Sequence, residues 1–287
     1  MMAVDEIVCR IKTDGFCVVP GVVPDDAAER IRRRLLQLHE EEDDRNRRRE
    51  EQIRAGGHRV GARGVTNTAM LINANQDVAP YLADPRVLGT AEAFFGPFVR
   101  IASAGSIVTH PGNARGYWHA DWPYNQTNAS RIQVPYPDLM MVLSTLWMLT
   151  PFNQETGGTL LVPRSQRSSN NPSGSNGVDP DAPHPDEIHA TGAPGSVLAY
   201  DARLWHAVAP NRSNDPRVAI AARYAPWWLN LNPESAGTPE NAMMVVERKG
   251  KGSSLPPIDP EVYASLPADV RPLFRHALKS DTEPPVR

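Results

Sequence analysis

From residue 97 to residue 226 the chain is a run of short apolar, β-branched stretches separated by turn clusters. FVRIASAGSIVTH (98–110), LMMVLSTLWML (139–149), GTLLVP (158–163), SVLAY (196–200), LWHAVA (204–209) and RVAIAARYA (217–225) each read as a strand. Turn signals fall between them at His110-Pro111-Gly112, from Asn153 to Gly158 and from Pro210 to Pro216. Strands this short bury their apolar faces only by pairing into sheets that pack on one another, so the pattern predicts a sandwich or barrel, mainly β with flanking helices. Proline supports this: 28 of 287 residues, about twice the average share, excludes a bundle of long helices.

The flanks read differently. Residues 15–23 form a short β segment broken at Pro20-Gly21. Residues 24–40 form a helix opened by Pro24 and Asp25-Asp26, with Ile31, Leu35 and Leu38 at helical spacing. It runs into EEEDDRNRRREEQIR (40–54), whose mixed charges predict a solvated helix end laced with i,i+4 pairs. A second helix spans 85–96 and stops at Gly96. Residues 55–68 hold Gly56, Gly57, Gly61 and Gly64 and read as a mobile loop; with 122–137 and 164–194 they are the candidate lid segments. The chain is taken as one domain, with a helical flank (1–96), a core (97–226) and a tail (227–287) that packs back over it.

Charge and composition restrict the partners. Lys plus Arg is 30 against 33 for Asp plus Glu, a net charge of −3, which leaves no footprint for nucleic acid or an anionic membrane surface. The apolar runs fall well short of the ~18 residues that cross a bilayer. The opening MMAVDEIVCRIKTDG lacks the unbroken apolar core of a signal peptide, and Cys9 and Cys17 build no disulfide framework. The expectation is a cytoplasmic protein, monomer or homodimer, acting on a small molecule.

The chemistry gathers in two places. In GYWHADWPY (116–124), His119 and Asp121 are two residues apart, so an extended strand offers an imidazole and a carboxylate on one face. Alone, H-x-D is a weak signal. In DARLWHAVAPNRSNDPRVAIAARY (201–224), His206 and Arg217 flank a turn-rich segment; a symmetric hairpin centred between Asn211 and Arg212 would set them opposite each other on one face. Two histidines and one carboxylate with open positions form the facial triad of non-haem Fe(II) oxygenases. A fixed guanidinium behind such a site suits an organic acid. By strand parity Tyr117 joins the ligand face, Trp118 and Trp205 turn away, and Arg223 shares the face of Arg217 as a substrate-acid anchor or an ion-paired structural residue. Trp122 and Tyr124 are candidates for the mouth.

The text DGFCVVPGVVP, THPGNARGYWHAD, LWMLTPFNQETGGTLLVPRSQ and PGSVLAYDARLWHAVAPNRSNDPR, spread over residues 10–225, resembles the phytanoyl-CoA dioxygenase family, including its ectoine-hydroxylase-like bacterial members. The resemblance implies a double-stranded β-helix (a cupin-like jelly roll) and an Fe(II)- and 2-oxoglutarate-dependent dioxygenase. Such an enzyme uses O2 and releases succinate and CO2 while oxidising an unactivated C–H bond. It implies His119, Asp121 and His206 as iron ligands, Arg217 as the anchor for the distal carboxylate of 2-oxoglutarate, and Trp147 near the co-substrate. Two departures stand out. Pro163-Arg164-Ser165-Gln166 replaces the PGSH of many relatives, and Val208 replaces a serine that bonds 2-oxoglutarate, which leaves Ser106 or Thr145 as substitutes. The presence of Asp121 implies a hydroxylase or desaturase, since halogenating relatives lack the carboxylate. The competing readings are a cupin-type isomerase or an oxygenase that needs no 2-oxoglutarate, and a non-catalytic interaction protein using the 40–54 charge block.

Overall fold

A computed structural model describes residues 2–55, 60–69, 71–125, 132–172, 177–231 and 257–278, with 239 and 242. Among these residues nine strands build two antiparallel sheets. The major sheet is made of β1 (Phe16–Val19), β2 (Val65–Thr68), β3 (Val99–Thr109), β4 (Leu143–Met148), β7 (Val197–Asp201) and β9 (Arg217–Pro226), in the order β1-β7-β4-β9-β3-β2. The minor sheet is made of β5 (Leu160–Leu161), β6 (Ile188–His189) and β8 (His206–Ala207), in the order β6-β5-β8. Neighbours in the sheets are mostly distant in sequence, and the two layers face each other as in a jelly roll.

Each face of the major sheet has its own apolar layer. The outer face packs Val99, Ala104, Val108, Leu143, Trp147, Val197, Ala199, Val218 and Ile220 against helices. The inner face turns Leu146, Met148, Leu198, Tyr200 and Ala219 toward Leu161 of the minor sheet. The alternation along each strand follows from the two-residue period of the pleat.

The helical layer is α1 (Val4–Asp14), α2 (Asp25–Ala55), α3 (Leu71–Ala74), α4 (Ala79–Leu82) and α5 (Pro85–Phe95). Helix α1, which has no counterpart in the sequence reading, buries Ile7 and Ile11 and ends at Gly15. Gly15 has φ +91°, and a Cβ there would lie 2.5 Å from both Gln166 Oε1 and Leu204 Cδ1. Helix α2 places Ala27, Ala28, Ile31, Leu35 and Leu38 on one buried stripe, and its far half is tied by exposed pairs such as Arg47–Asp43 and Arg54–Glu50. Helix α5 starts at Asp84, whose carboxylate accepts from the N–H groups of Arg86 and Val87. Two further helices, α6 (Pro260–Ser265) and α7 (Arg271–Phe274), bring Leu266, Val270, Leu273 and Phe274 into the same outer core.

Two segments read as loops carry strands: Val65–Thr68 is β2 at the sheet edge, and Ile188–His189 is β6. Gly56 and Gly57 lie outside the described residues. Among the described residues, no helix is long and apolar enough to cross a membrane.

Candidate metal centre

The centre forms where the segment 116–121 runs beside β8. Gly116 donates its N–H to Val208 O at 2.9 Å, and Asp121 donates to Ala202 O at 2.7 Å. Between them His119 and His206 form an isolated antiparallel bridge. The extended backbone therefore puts residues 117, 119 and 121 on one side, and bridge partners share that side. Tyr117 stacks near His119 at 5.3 Å between ring centroids, and the His119 and His206 rings are 4.2 Å apart.

His119, Asp121 and His206 each offer one donor atom, and these atoms all lie within 4.8 Å of one another. His206 Nε2 is 3.7 Å from Asp121 Oδ1. The tautomers are set by the backbone. His119 Nδ1 lies 3.1 Å from Tyr117 O, and His206 Nδ1 lies 2.9 Å from Leu204 O. A carbonyl only accepts, so both Nδ1 atoms carry the proton and both Nε2 lone pairs are left for a ligand. Burial, then the neighbouring His206, lowers the pKa of His119 to about 3 despite the Asp121 carboxylate, so the ring stays neutral.

Asp121 rests on a row of three side chains. Tyr200 (β7), Ser144 (β4) and Arg223 (β9) are cross-strand neighbours on the inner face of the major sheet. Ser144 Oγ donates to Asp121 Oδ2 at 2.7 Å, Tyr200 OH donates to the same oxygen at 3.0 Å, and Arg223 Nη2 donates to Oδ1 at 2.5 Å. Burial pushes the carboxyl up, but Arg223, the two imidazoles and the Ser144 hydroxyl outweigh it and hold it well below the ordinary carboxylate range. Burial, reinforced by Asp121, raises the Tyr200 phenol, so it remains a donor. Neither Ser144 nor Tyr200 stood out in the sequence. Their only signal was a hydroxyl inside an otherwise apolar strand.

Arg217 lies on the same inner face of β9 and is only 3% exposed. Its Nε donates to Thr109 Oγ1 at 2.9 Å and its Nη1 to Thr159 Oγ1 at 3.2 Å, with Phe152 stacked 4.4 Å from the guanidinium carbon. Thr159 adjoins β5, whose Leu161 pairs with His206, so Arg217 reaches the minor sheet a few residues along from the histidine. Among the described residues it meets no carboxylate, and burial alone lowers its pKa to about 10. Between Arg217 and Arg223 the inner face of β9 carries only the small side chains of Ala219 and Ala221, packed against the inner apolar layer.

The structure corrects several expectations. His206 and Arg217 are not opposed in a hairpin: β8 belongs to the minor sheet, and the cross-strand neighbour of Arg217 is Thr109. Residues 210–216 cross between the layers, tied by Asn211, whose Nδ2 donates to Thr109 O and Asp215 O. Ser106, Thr145 and Trp147 point away from the centre. Ser106 Oγ bonds His39 of α2 at 2.8 Å and Thr68 at 2.6 Å. Trp147 belongs to the outer core, and its Nε1 donates to Thr145 Oγ1 at 3.0 Å. All three are one residue out of phase with the inner face. Trp122 and Tyr124 are packed rather than lining a mouth: Trp122 lies among Ala102, Val142 and Ala225, and Tyr124 against Tyr136. Trp118 and Trp205 do turn away, with the His184 ring between them.

Comparison with known proteins gives the same direction. The family described as phytanoyl-CoA dioxygenase matches residues 11–219. The dioxygenase af480 of Aspergillus fumigatus is 27% identical over 162 residues, 55% of this chain and 48% of that protein, so the match spans about half the length of that relative. HygX from Streptomyces hygroscopicus with iron bound superposes with a TM-score of 0.58 at 18% identity, covering 87% of this chain and 95% of that one. The epimerase SnoN in complex with Fe3+, alpha ketoglutarate and nogalamycin RO gives 0.53 at 17% identity, covering 78% and 83%. These two likenesses establish the shared jelly-roll fold.

Proposed function

The chain belongs to the phytanoyl-CoA dioxygenase family, and on that footing we propose that it is an Fe(II)- and 2-oxoglutarate-dependent oxygenase acting on a small molecule. The observation that carries this reading is the pairing of two features. One is a pre-oriented His/Asp/His donor set; the other is a buried guanidinium that meets no anion among the described residues. Two imidazoles and one carboxylate suit a first-row divalent ion with positions left open. A buried cation without a counter-charge is costly unless a ligand brings the charge, and a dicarboxylate co-substrate would do so.

In this reading His119, Asp121 and His206 hold the iron. Bound iron and 2-oxoglutarate supply the oxidising power, with succinate and CO2 as co-products. The chain's own residues bind, orient and exclude water. Arg217, fixed by Thr109 and Thr159 and stacked on Phe152, takes the distal carboxylate of 2-oxoglutarate. Ser144 and Tyr200 saturate Asp121 Oδ2, which leaves Oδ1 as the one oxygen toward the metal. Asp121 fills the position that a halide would need, so hydroxylation of an unactivated C–H bond is the outcome that fits best. An isomerase without 2-oxoglutarate would leave the charge of Arg217 uncompensated.

The test is a metal-binding titration together with succinate release from 2-oxoglutarate under Fe(II). His119→Ala and Asp121→Ala should lose both. Full iron binding in either variant, or wild-type protein that takes up no 2-oxoglutarate, overturns the reading.

A further inference from the structure

Several part-buried arginines fall into two groups by how completely their donors are used. Arg203 spends Nε, Nη1 and Nη2 on Asp201, Asp138 and Pro137 O. Arg86 spends its fork on Asp84, Pro20 O and Gly21 O. Arg115 forms a two-pronged pair with Glu187, at 3.0 and 2.7 Å. These are structural ion pairs, each with its fork engaged by a carboxylate, although Arg115 Nε finds no partner. Arg223 is different. One nitrogen, Nη2, holds Asp121, and among the described residues its other N–H groups find no acceptor. Its side chain keeps 35% of its surface exposed although it stands on the inner face of a sheet.

Charge balance points the same way. Under the function proposed above, a ferrous ion, the Asp121 carboxylate, doubly charged 2-oxoglutarate and Arg217 cancel. Arg223 is then a surplus positive charge beside the centre. It is already held in place by Asp121, so a second anion docking on it would pay little ordering entropy.

We propose that Arg223 anchors the primary substrate, and that this substrate is a small organic acid whose carboxylate docks on the free edge of the guanidinium beside Asp121. Asp121 then does two things at once: one carboxylate oxygen faces the metal while also orienting the arginine that receives the substrate. The bond to be oxidised is thereby placed within a few atoms of the substrate's acid group, since the anchor and the metal ligand are in direct contact. This deepens the functional reading above and rests on it.

The experiment uses the full chain loaded anaerobically with Fe(II) and 2-oxoglutarate. Binding of paired probes is measured by calorimetry: hexanoate with hexanamide, phenylacetate with phenylacetamide, and N-acetyl-leucine with its amide. At least one acid should bind about tenfold or more tighter than its amide, as a charge-assisted bond to a fixed guanidinium predicts. Arg223→Gln should abolish the preference and Arg223→Lys should restore part of it. The ratio of acid to amide is internal to each protein, so partial loss of active material does not mimic the result. The wild-type comparison needs no variant at all. Equal binding of acids and amides by the wild type, an undiminished preference in Arg223→Gln, or acids that bind only by displacing 2-oxoglutarate each overturn the anchor. Failure of the underlying function is visible earlier, as wild-type protein that takes up no 2-oxoglutarate before any probe is added, and it overturns both readings.

Discussion

His119 and His206 donate their main-chain N–H groups to each other's carbonyls, at 3.1 and 3.0 Å, across an isolated antiparallel bridge. One residue pair thus fixes the spacing of two imidazoles that are 87 positions apart in the chain. Asp121 is added two residues further along the same extended segment, and the major sheet comes up beneath it.

The row beneath Asp121 should tune the metal. In the double variant Ser144→Ala/Tyr200→Phe the second carboxylate oxygen loses both donors and is free to swing. Metal affinity should fall about ten- to a hundredfold, the usual cost of removing groups that orient a ligand. A competition titration with a coloured chelator measures it. Unchanged affinity would mean that the backbone and Arg223 suffice to set the carboxylate.

Arg217→Ala separates the co-substrate from the metal. The dissociation constant for 2-oxoglutarate should rise at least about tenfold, while metal affinity stays within about threefold. Calorimetric titrations of the metal-loaded and metal-free variant read the two numbers independently. Equal losses would move the dicarboxylate elsewhere.

His39 gives the fold a pH dependence of its own. It is buried between Thr66 and Ser106, with Nδ1 at 2.7 Å and Nε2 at 2.8 Å from their hydroxyls, and burial with His110 nearby lowers its pKa to about 4. The unfolded chain binds this proton near pH 6.5 and the folded chain does not, so stability is intact above that pH. It should drain away as the pH falls from 6.5 toward 4, by at most about 3 kcal/mol. Urea unfolding of wild type and His39→Gln across this window should show a shallower slope for the variant.

Gly15→Ala tests the junction of α1, β1 and the minor layer. The new Cβ would sit 2.5 Å from Gln166 Oε1 and Leu204 Cδ1 at a backbone angle of φ +91°. A loss of about 2 kcal/mol or more is expected from strain and collision together, read as a lower thermal midpoint.

What the sequence made legible was local. The two-residue spacing of His119 and Asp121 already placed them on one face, and the parity of β9 already put Arg217 and Arg223 on a common side. The failures came where a choice was non-local or symmetric. All six residues of β4 are buried, so Leu143–Met148 shows no polar alternation and either face could be the inner one. The wrong phase selects Thr145 and Trp147; the right one selects Ser144. Likewise nothing in residues 210–216 says that the chain leaves one sheet for the other, because that decision belongs to the partners Thr109 and Asn113, about a hundred positions away.

The minor sheet has strands of only two residues each, whereas β3 and β9 of the major sheet run for 11 and 10. Its histidine and the carboxylate cradled by the broad layer converge from opposite walls. An ion held between them would act as a rivet through the sandwich, tightening the weaker wall against the stronger. Stripping it should loosen the short-stranded half first, so that amide exchange around residues 160–161 and 206–207 quickens while the long strands stay protected.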